Sequence, residues 1–473
     1  MKTYPLYLNG QFVESAPAWD VVNPATGEAF AKISTIDRAR LKQAISDAQA
    51  AFAGWRHLTA KARGEFLRKI ASELERRRDE IAMIISMENG KPLAQSLGEV
   101  AMSVDHLQWF AEEGRRAYGR IIPQQADGKR NLVIKTPVGV VAAISPWNFP
   151  LVLAVRKVAP ALAAGCPVVL KPARQTPLSC VLFAECAHAA QLPKGVLQVM
   201  CGRSDEFGKE FLSNEHCRKV TFTGSTEVGR ELIRQAADTV KLLSLELGGN
   251  APLLVFEDAD LKIAVDEAII AKMRNTGQSC IAANRLFVHR PVYEKFLEMF
   301  VAKVKMLKTG ESSEPGVEVG PLIDQAALDH ALKLIADATI RGARLLCGGK
   351  RIDRKGCFLE PTVLADVSAE GLCAQEEIFA PIAAVAAFET EEEAIREANA
   401  TVHGLCAYAF TRDVGRAFRL AEQLEAGMIG INDGVPTTSN APFGGVKQSG
   451  WGRELGSEGL DAFLETKHVS IRI

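Results

Sequence analysis

Between residues 139 and 223 the chain repeats one unit: a short, almost wholly apolar run, then a longer helix-like segment. The apolar runs fall at 139–144, 168–170, 196–199 and 219–223. Strands buried on both faces read as continuous Val, Ile and Leu, and two such strands lie parallel only when a crossover segment returns the chain between them. The pattern therefore predicts a parallel sheet covered on both sides, with ligands at the carboxyl ends of its strands.

A chain of 473 residues exceeds what one core accommodates, so further units are required. A second series of strands and helices runs from 251 to about 431, including a strand at 286–289 and helices at 292–307 and 325–341, and predicts a second α/β lobe. Before the first lobe come strand-like pieces at 6–13 and 21–24, then helical patterns over 37–53 and 60–89. Residues 121–123 and 132–135 flank the turn-forming Ala126-Asp127-Gly128 and read as a hairpin. The strand-like ending, 463–473, could pair with that hairpin or with another subunit. The predicted organisation is one lobe from 1–118 and 139–248, a second from 249–446, and a small β element from 119–138 and 459–473.

Composition excludes several roles. Lys and Arg number 56 against 57 Asp and Glu, giving a net charge of -1 and no reason to expect nucleic acid or an acidic membrane as partner. The ten cysteines show no CxxC and no grouping with histidine, so neither a disulfide framework nor a metal site is expected, and a reducing cytoplasm fits. No secretory signal is read at the N-terminus. The longest apolar stretch, 151–170, carries Arg156, Lys157 and Pro160, which favours a buried helix feeding a strand over a membrane span.

Against that frame, Cys280 is the residue richest in chemical meaning. It ends the polar, glycine-containing stretch Asn275-Thr-Gly-Gln-Ser-Cys280, close to Arg274, a setting in which a thiol can become a nucleophile. Glu246, in Ser244-Leu-Glu-Leu-Gly-Gly-Asn250, follows an apolar run and would stand as a base at the mouth of a cleft. Asn148 sits between two prolines at the end of a predicted strand, where a rigidly held amide can donate to an oxyanion. Gly224 and Ser225 occupy a strand-to-helix turn whose free amides suit a phosphate, although the spacing is not GxGxxG. Lys171 and Arg174 end another strand and could face a ribose or phosphate. Each feature alone also fits a plain structural role: a buried thiol, a half-exposed glutamate, a closed turn.

Together they resemble the NAD(P)-dependent aldehyde dehydrogenase superfamily. Asn23-Pro-Ala-Thr-Gly27, Pro146-Trp-Asn-Phe-Pro150, Phe222-Thr-Gly-Ser-Thr226, Leu245-Glu-Leu-Gly-Gly249, Gly277-Gln-Ser-Cys280, Glu377-Ile-Phe379 and Pro442-Phe-Gly-Gly445 occur in the family's order across nearly the whole chain. The resemblance implies an aldehyde dehydrogenase-like α/β fold: a Rossmann-like cofactor lobe, a catalytic lobe and a small β oligomerisation element, assembled as a homodimer or homotetramer. It implies that Cys280 attacks the aldehyde while Asn148 and the Cys280 amide stabilise the oxyanion, hydride passes to NAD or NADP, and Glu246 activates the water that hydrolyses the thioester. By the same resemblance Lys157 and Glu454 relay the proton, Glu377 and Phe379 grip the nicotinamide ribose, and Trp147, Gly224 and Ser225 line the cofactor path.

One departure bears on the cofactor. Where strictly NAD-using relatives commonly carry a glutamate after Lys171-Pro-Ala, this chain has Arg174, which suits the 2′-phosphate of NADP. The chain is most similar to succinate semialdehyde dehydrogenases, in which arginines at the positions of Arg156 and Arg274 bind the substrate carboxylate. Thr437 and Thr438 match a loop whose hydroxyl also meets that carboxylate, and Phe443 would wall the tunnel. Glutarate or 2-oxoglutarate semialdehyde, or a broad range of aldehydes, are the alternative substrates; a cysteine hydrolase and a non-catalytic protein are the readings outside the family. Ala282 occupies the place of a second cysteine that in some relatives closes an inactivating disulfide, so that switch is not expected.

Overall fold

The computed structural model describes residues 1–473. Helix α1 (Leu93–Glu113) leads through the hairpin to β1 (Val140–Ile144), α2 (Val152–Ala164), β2 (Val168–Lys171), β3 (Cys217–Thr223), α3 (Thr226–Ala236) and β4 (Leu242–Glu246). Strands β4, β3, β1, β2 and Leu197–Val199 lie side by side and parallel, as the apolar runs predict. Leu6–Leu8 and Gln11–Val13 extend one edge and Gly450–Trp451 the other, all antiparallel to their neighbours. Because the chain leaves β1 toward β2 on one side and returns to β3 on the other, the crevice of this sheet opens beyond the end of β1, where Asn148 follows.

The second lobe is built on β5 (Ala251–Val255), helix α4 (Leu261–Met273) and β6 (Ala283–His289). Its seven-stranded sheet is parallel except for the edge strand Arg344–Cys347. One core of 96 buried residues runs through both lobes, so their facing ends are held as one body.

Every residue of α2 is buried, Arg156 and Lys157 included, and Gly165 at φ 102° ends it before β2. The 151–170 stretch is thus a buried helix feeding a strand; no helix of the protein is long and apolar enough to cross a membrane.

One expectation needs adjustment. The pattern over 60–89 is two helices, Ala60–Arg76 and Arg78–Asn89, because Arg77 leaves helical geometry and its guanidinium is tied to Glu80 at 2.8 Å and Glu185 at 2.7 Å. Residues beyond the second lobe return to the first sheet, where Gly450 pairs with Glu246. Of the two partners open to the terminal strand, the chain uses the hairpin: Leu464–Arg472 pairs antiparallel with Lys129–Pro137 over nine residues, leaving its outer edge unpaired.

Candidate active site

The loop carrying Cys280 is held in an uncommon shape. After α4, Asn275 and Thr276 adopt left-handed backbone angles (φ 52° and 59°), which costs about 1–3 kcal/mol each for residues with side chains and persists only under strong constraint. The constraint is a polar network. Asn275 N–H donates to Gln95 Oε1 at 2.7 Å, and Asn275 Nδ2 donates to the carbonyls of Asn148 and Gln278 at 2.8 and 2.9 Å. Gly320 N–H donates to Thr276 Oγ1 at 3.0 Å and Ile323 N–H to Gln278 Oε1 at 2.9 Å. Gly249 allows the closest approach, since a Cβ there would lie 2.3 Å from the Cys280 carbonyl oxygen. Asn275, Gln95 and Gln278 were not anticipated as site residues; polarity beside the nucleophile signals Asn275 and Gln278, whereas Gln95 is brought there only by the fold.

Cys280 stands between two cavities and is the only residue lining both. On one side is a cleft of about 210 Å³ lined by Trp147, Asn148, Gly224, Ser225, Glu377 and Phe379. The Trp147 and Phe379 rings meet edge to face at 5.4 Å. Glu377 accepts one hydrogen bond, from Gly249 N–H at 3.2 Å, and burial raises its carboxyl to about 7. Ser225 caps α3 by accepting from Val228 N–H at 3.4 Å. Aromatic walls, a carboxylate with acceptor capacity to spare and the amino end of α3 together fit a dinucleotide that ends in a flat ring and a ribose.

On the other side is a tighter space of about 30 Å³ lined by Phe149, Arg156, Arg274, Thr437 and Phe443, among others. Arg156 is 5% exposed, its guanidinium lies 4.4 Å from the Phe443 ring centroid, and its Nε has no hydrogen-bond partner. Arg274 lies 5.6 Å from the Phe149 ring. Thr437 lines this space with its Oγ1 unpartnered, but Thr438 is exposed and does not, since adjacent loop residues point opposite ways.

Asn148 is buried, and its Nδ2 donates to Gln278 O at 3.2 Å, which leaves one amide hydrogen for a ligand. Burial pushes the Cys280 thiol up to about 12, reinforced by Glu377 and Glu246 and opposed by Arg156. Glu246 is buried at the end of β4 instead of standing at a cleft mouth; it lines neither cavity, and its Oε2 has no partner. Burial, then repulsion from Glu454, holds its carboxyl well above the ordinary carboxylate range. Lys157 Nζ donates to Thr223 Oγ1 at 2.6 Å and forms a buried ion pair with Glu454.

Lys171 and Arg174 lie away from the nucleophile. The Lys171 ammonium is 5.7 Å from the Phe207 ring, and exposed Arg174 is 4.9 Å from the Trp19 ring, facing a cleft of about 620 Å³ shared with Asp20, Gln175 and Arg351. No group of three or more His, Cys, Asp or Glu side chains is placed to hold a metal ion.

The arrangement can be set against known proteins. The Aldehyde dehydrogenase family matches residues 12–469. The chain is 46% identical to the NADP(+) succinate-semialdehyde dehydrogenase of Escherichia coli over 98% of this chain and 97% of that one, and 46% identical to the glutarate-semialdehyde dehydrogenase of Pseudomonas aeruginosa over the same shares. The crystal structure of succinate-semialdehyde dehydrogenase from Burkholderia pseudomallei superposes with a TM-score of 0.98 at 47% identity, covering 99% of this chain and 98% of that one. A half-buried cysteine between an aromatic cleft and an arginine-lined space is thus joined to a match over nearly every residue, and the chain belongs to the aldehyde dehydrogenase family.

Proposed function

We propose that this protein oxidises succinate semialdehyde to succinate with NADP or NAD. The observation that carries the substrate is Arg156: a buried guanidinium with an unpartnered Nε, beside Arg274, facing the space on the far side of Cys280. A cation held there without a carboxylate of its own is satisfied by the carboxylate of the substrate.

In the reaction, Arg156 and Arg274 bind the substrate carboxylate and so direct the aldehyde carbon to Cys280. The thiol gives its proton to solvent water as the Sγ–C bond forms, and the resulting oxyanion accepts hydrogen bonds from the second Asn148 Nδ2 hydrogen and the Cys280 N–H. Trp147, Phe379 and Glu377 would hold the nicotinamide and its ribose in the aromatic cleft, where the ring would supply the acceptor for the hydride leaving that carbon. Glu246, in its charged form, takes a proton from the water that attacks the remaining thioester, the C–S bond breaks, and acid and thiol are released. Lys157 and Glu454, paired behind Glu246, pass that proton outward. Arg174 supports use of NADP, its guanidinium pairing with the 2′-phosphate, while Lys171 faces the adenosine side.

The unpaired outer edge of Leu464–Arg472 supports a homo-oligomer, dimer or tetramer, completed across the small β element. A cytoplasmic setting fits ten cysteines that are all thiols. The deciding experiment follows absorbance at 340 nm with succinate semialdehyde, glutarate semialdehyde and butanal, each with NAD and NADP. The proposal requires the highest kcat/KM for succinate semialdehyde; equal turnover of butanal would make this a general aldehyde dehydrogenase.

A further inference from the structure

Three side chains, two from the neighbouring positions 89 and 91 and one from the Cys280 loop, converge on one backbone carbonyl, that of Asn148. Lys91 Nζ donates to it at 2.7 Å, Asn275 Nδ2 at 2.8 Å and Asn89 Nδ2 at 3.4 Å. A carbonyl oxygen offers two lone pairs, so its direction is over-determined. Lys91 is held in turn by Glu99 of α1: Nζ to Oε2 is 2.6 Å, and both side chains are fully buried. The other Glu99 oxygen accepts from Leu151 N–H at 2.9 Å and Val152 N–H at 3.2 Å, the free amides where α2 begins. The ammonium also lies 3.9 Å from the centroid of the Phe149 ring, which walls the arginine-lined space.

Stability alone gives little reason for such a pair. Taking a lysine and a glutamate out of water costs several kcal/mol per ion, and apolar replacements are often neutral or better. What the pair does accomplish is geometric: it ties the Asn148 backbone to the start of the helix that carries Arg156 and Lys157. Neither Lys91 nor Glu99 lines either cavity at Cys280, so neither touches a reacting atom.

Resting on the reading that Asn148 donates to the oxyanion, we propose that Lys91 and Glu99 are positioning residues that fix the Asn148 carbonyl and thereby aim its side-chain amide at the aldehyde oxygen on Cys280. A displacement of about 1 Å at a reacting centre can cost roughly 10²-fold in rate.

The test is a kinetic cycle on the full-length enzyme: Lys91→Met and Glu99→Gln, each alone and combined with Asn148→Ala, read as single-turnover NAD(P)H formation and as steady-state KM and kcat. Asn148→Ala is expected to lower the single-turnover rate about 10²-fold. Lys91→Met should lower it about ten- to a hundredfold, and Glu99→Gln by a smaller factor, with both KM values held within about twofold. On top of Asn148→Ala, neither should add a further loss, because the amide they aim is gone. Glu99→Gln keeps the shape and the acceptor at the start of α2, so it carries the cycle if Lys91→Met does not fold. Equal losses with and without Asn148, or wild-type rates in both single variants, would overturn the positioning role. A wild-type rate in Asn148→Ala would overturn the oxyanion reading itself, and this inference with it.

Discussion

Phe443 and Glu454 exchange both backbone hydrogen bonds at 2.7 Å, and their side chains hold successive residues of one buried helix: the Phe443 ring faces the Arg156 guanidinium, and the Glu454 carboxylate pairs with Lys157. An isolated bridge between two loops thus sets both the substrate-facing cation and the cation behind Glu246. Phe443→Ala should raise KM for succinate semialdehyde several-fold, since a stacked guanidinium is worth about 0.5–2 kcal/mol. Kinetics with butanal, which has no carboxylate to place, should change much less.

Arg156→Leu and Arg274→Leu should each raise KM for succinate semialdehyde roughly ten- to a hundredfold, the worth of a hydrogen bond to a charged group. The control is the ratio to butanal in the same variants. Equal losses on both aldehydes would refute a carboxylate-binding role.

Glu246→Gln should separate the two halves of the reaction. Single-turnover NAD(P)H formation should survive while steady-state turnover falls about 10²- to 10⁴-fold, because only thioester hydrolysis needs the base. The pH dependence has a definite sign. The Glu246 carboxyl is held above its ordinary value by burial and by Glu454, so the charged, active form grows as pH rises through that raised value. Steady-state kcat should therefore climb with pH above the ordinary carboxylate range in the wild type and flatten in Glu246→Gln.

Arg174→Glu should raise KM for NADP by roughly tenfold or more, the cost of exchanging a charge-assisted bond for repulsion, and leave KM for NAD near the wild-type value. A parallel rise for both cofactors would show that Arg174 serves the cleft beside Trp19 and not the 2′-phosphate.

The parallel sheets and the strand-end positions of Asn148, Gly224 and Glu246 were legible because buried strands have a compositional signature and their ends are punctuated by Gly, Pro and Ser. Cys280 was legible because its approach is polar where a core cysteine's would be apolar. The Lys91–Glu99 pair was not: a lysine in a Gly-Lys-Pro turn and a lone glutamate on a helix both read as solvent-facing, and only tertiary packing buries them. Glu246 was read at a cleft mouth because it follows an apolar run and precedes turn residues, whereas its side chain is buried against Gly444, where an added Cβ would lie 2.8 Å from Oε1. The break at Arg77 depends on Glu185, more than a hundred residues away, which no local periodicity reports.

Because Cys280 is the only residue common to the aromatic cleft and the arginine-lined space, the protein is modular around a single sulfur atom. Substitutions that retune the aldehyde side share no wall with those that retune the dinucleotide side. Their free energies should add to within about 0.5 kcal/mol wherever the altered side chains stay out of contact. A redesign of this scaffold can therefore change fuel and electron acceptor as separate exercises and combine them at the end.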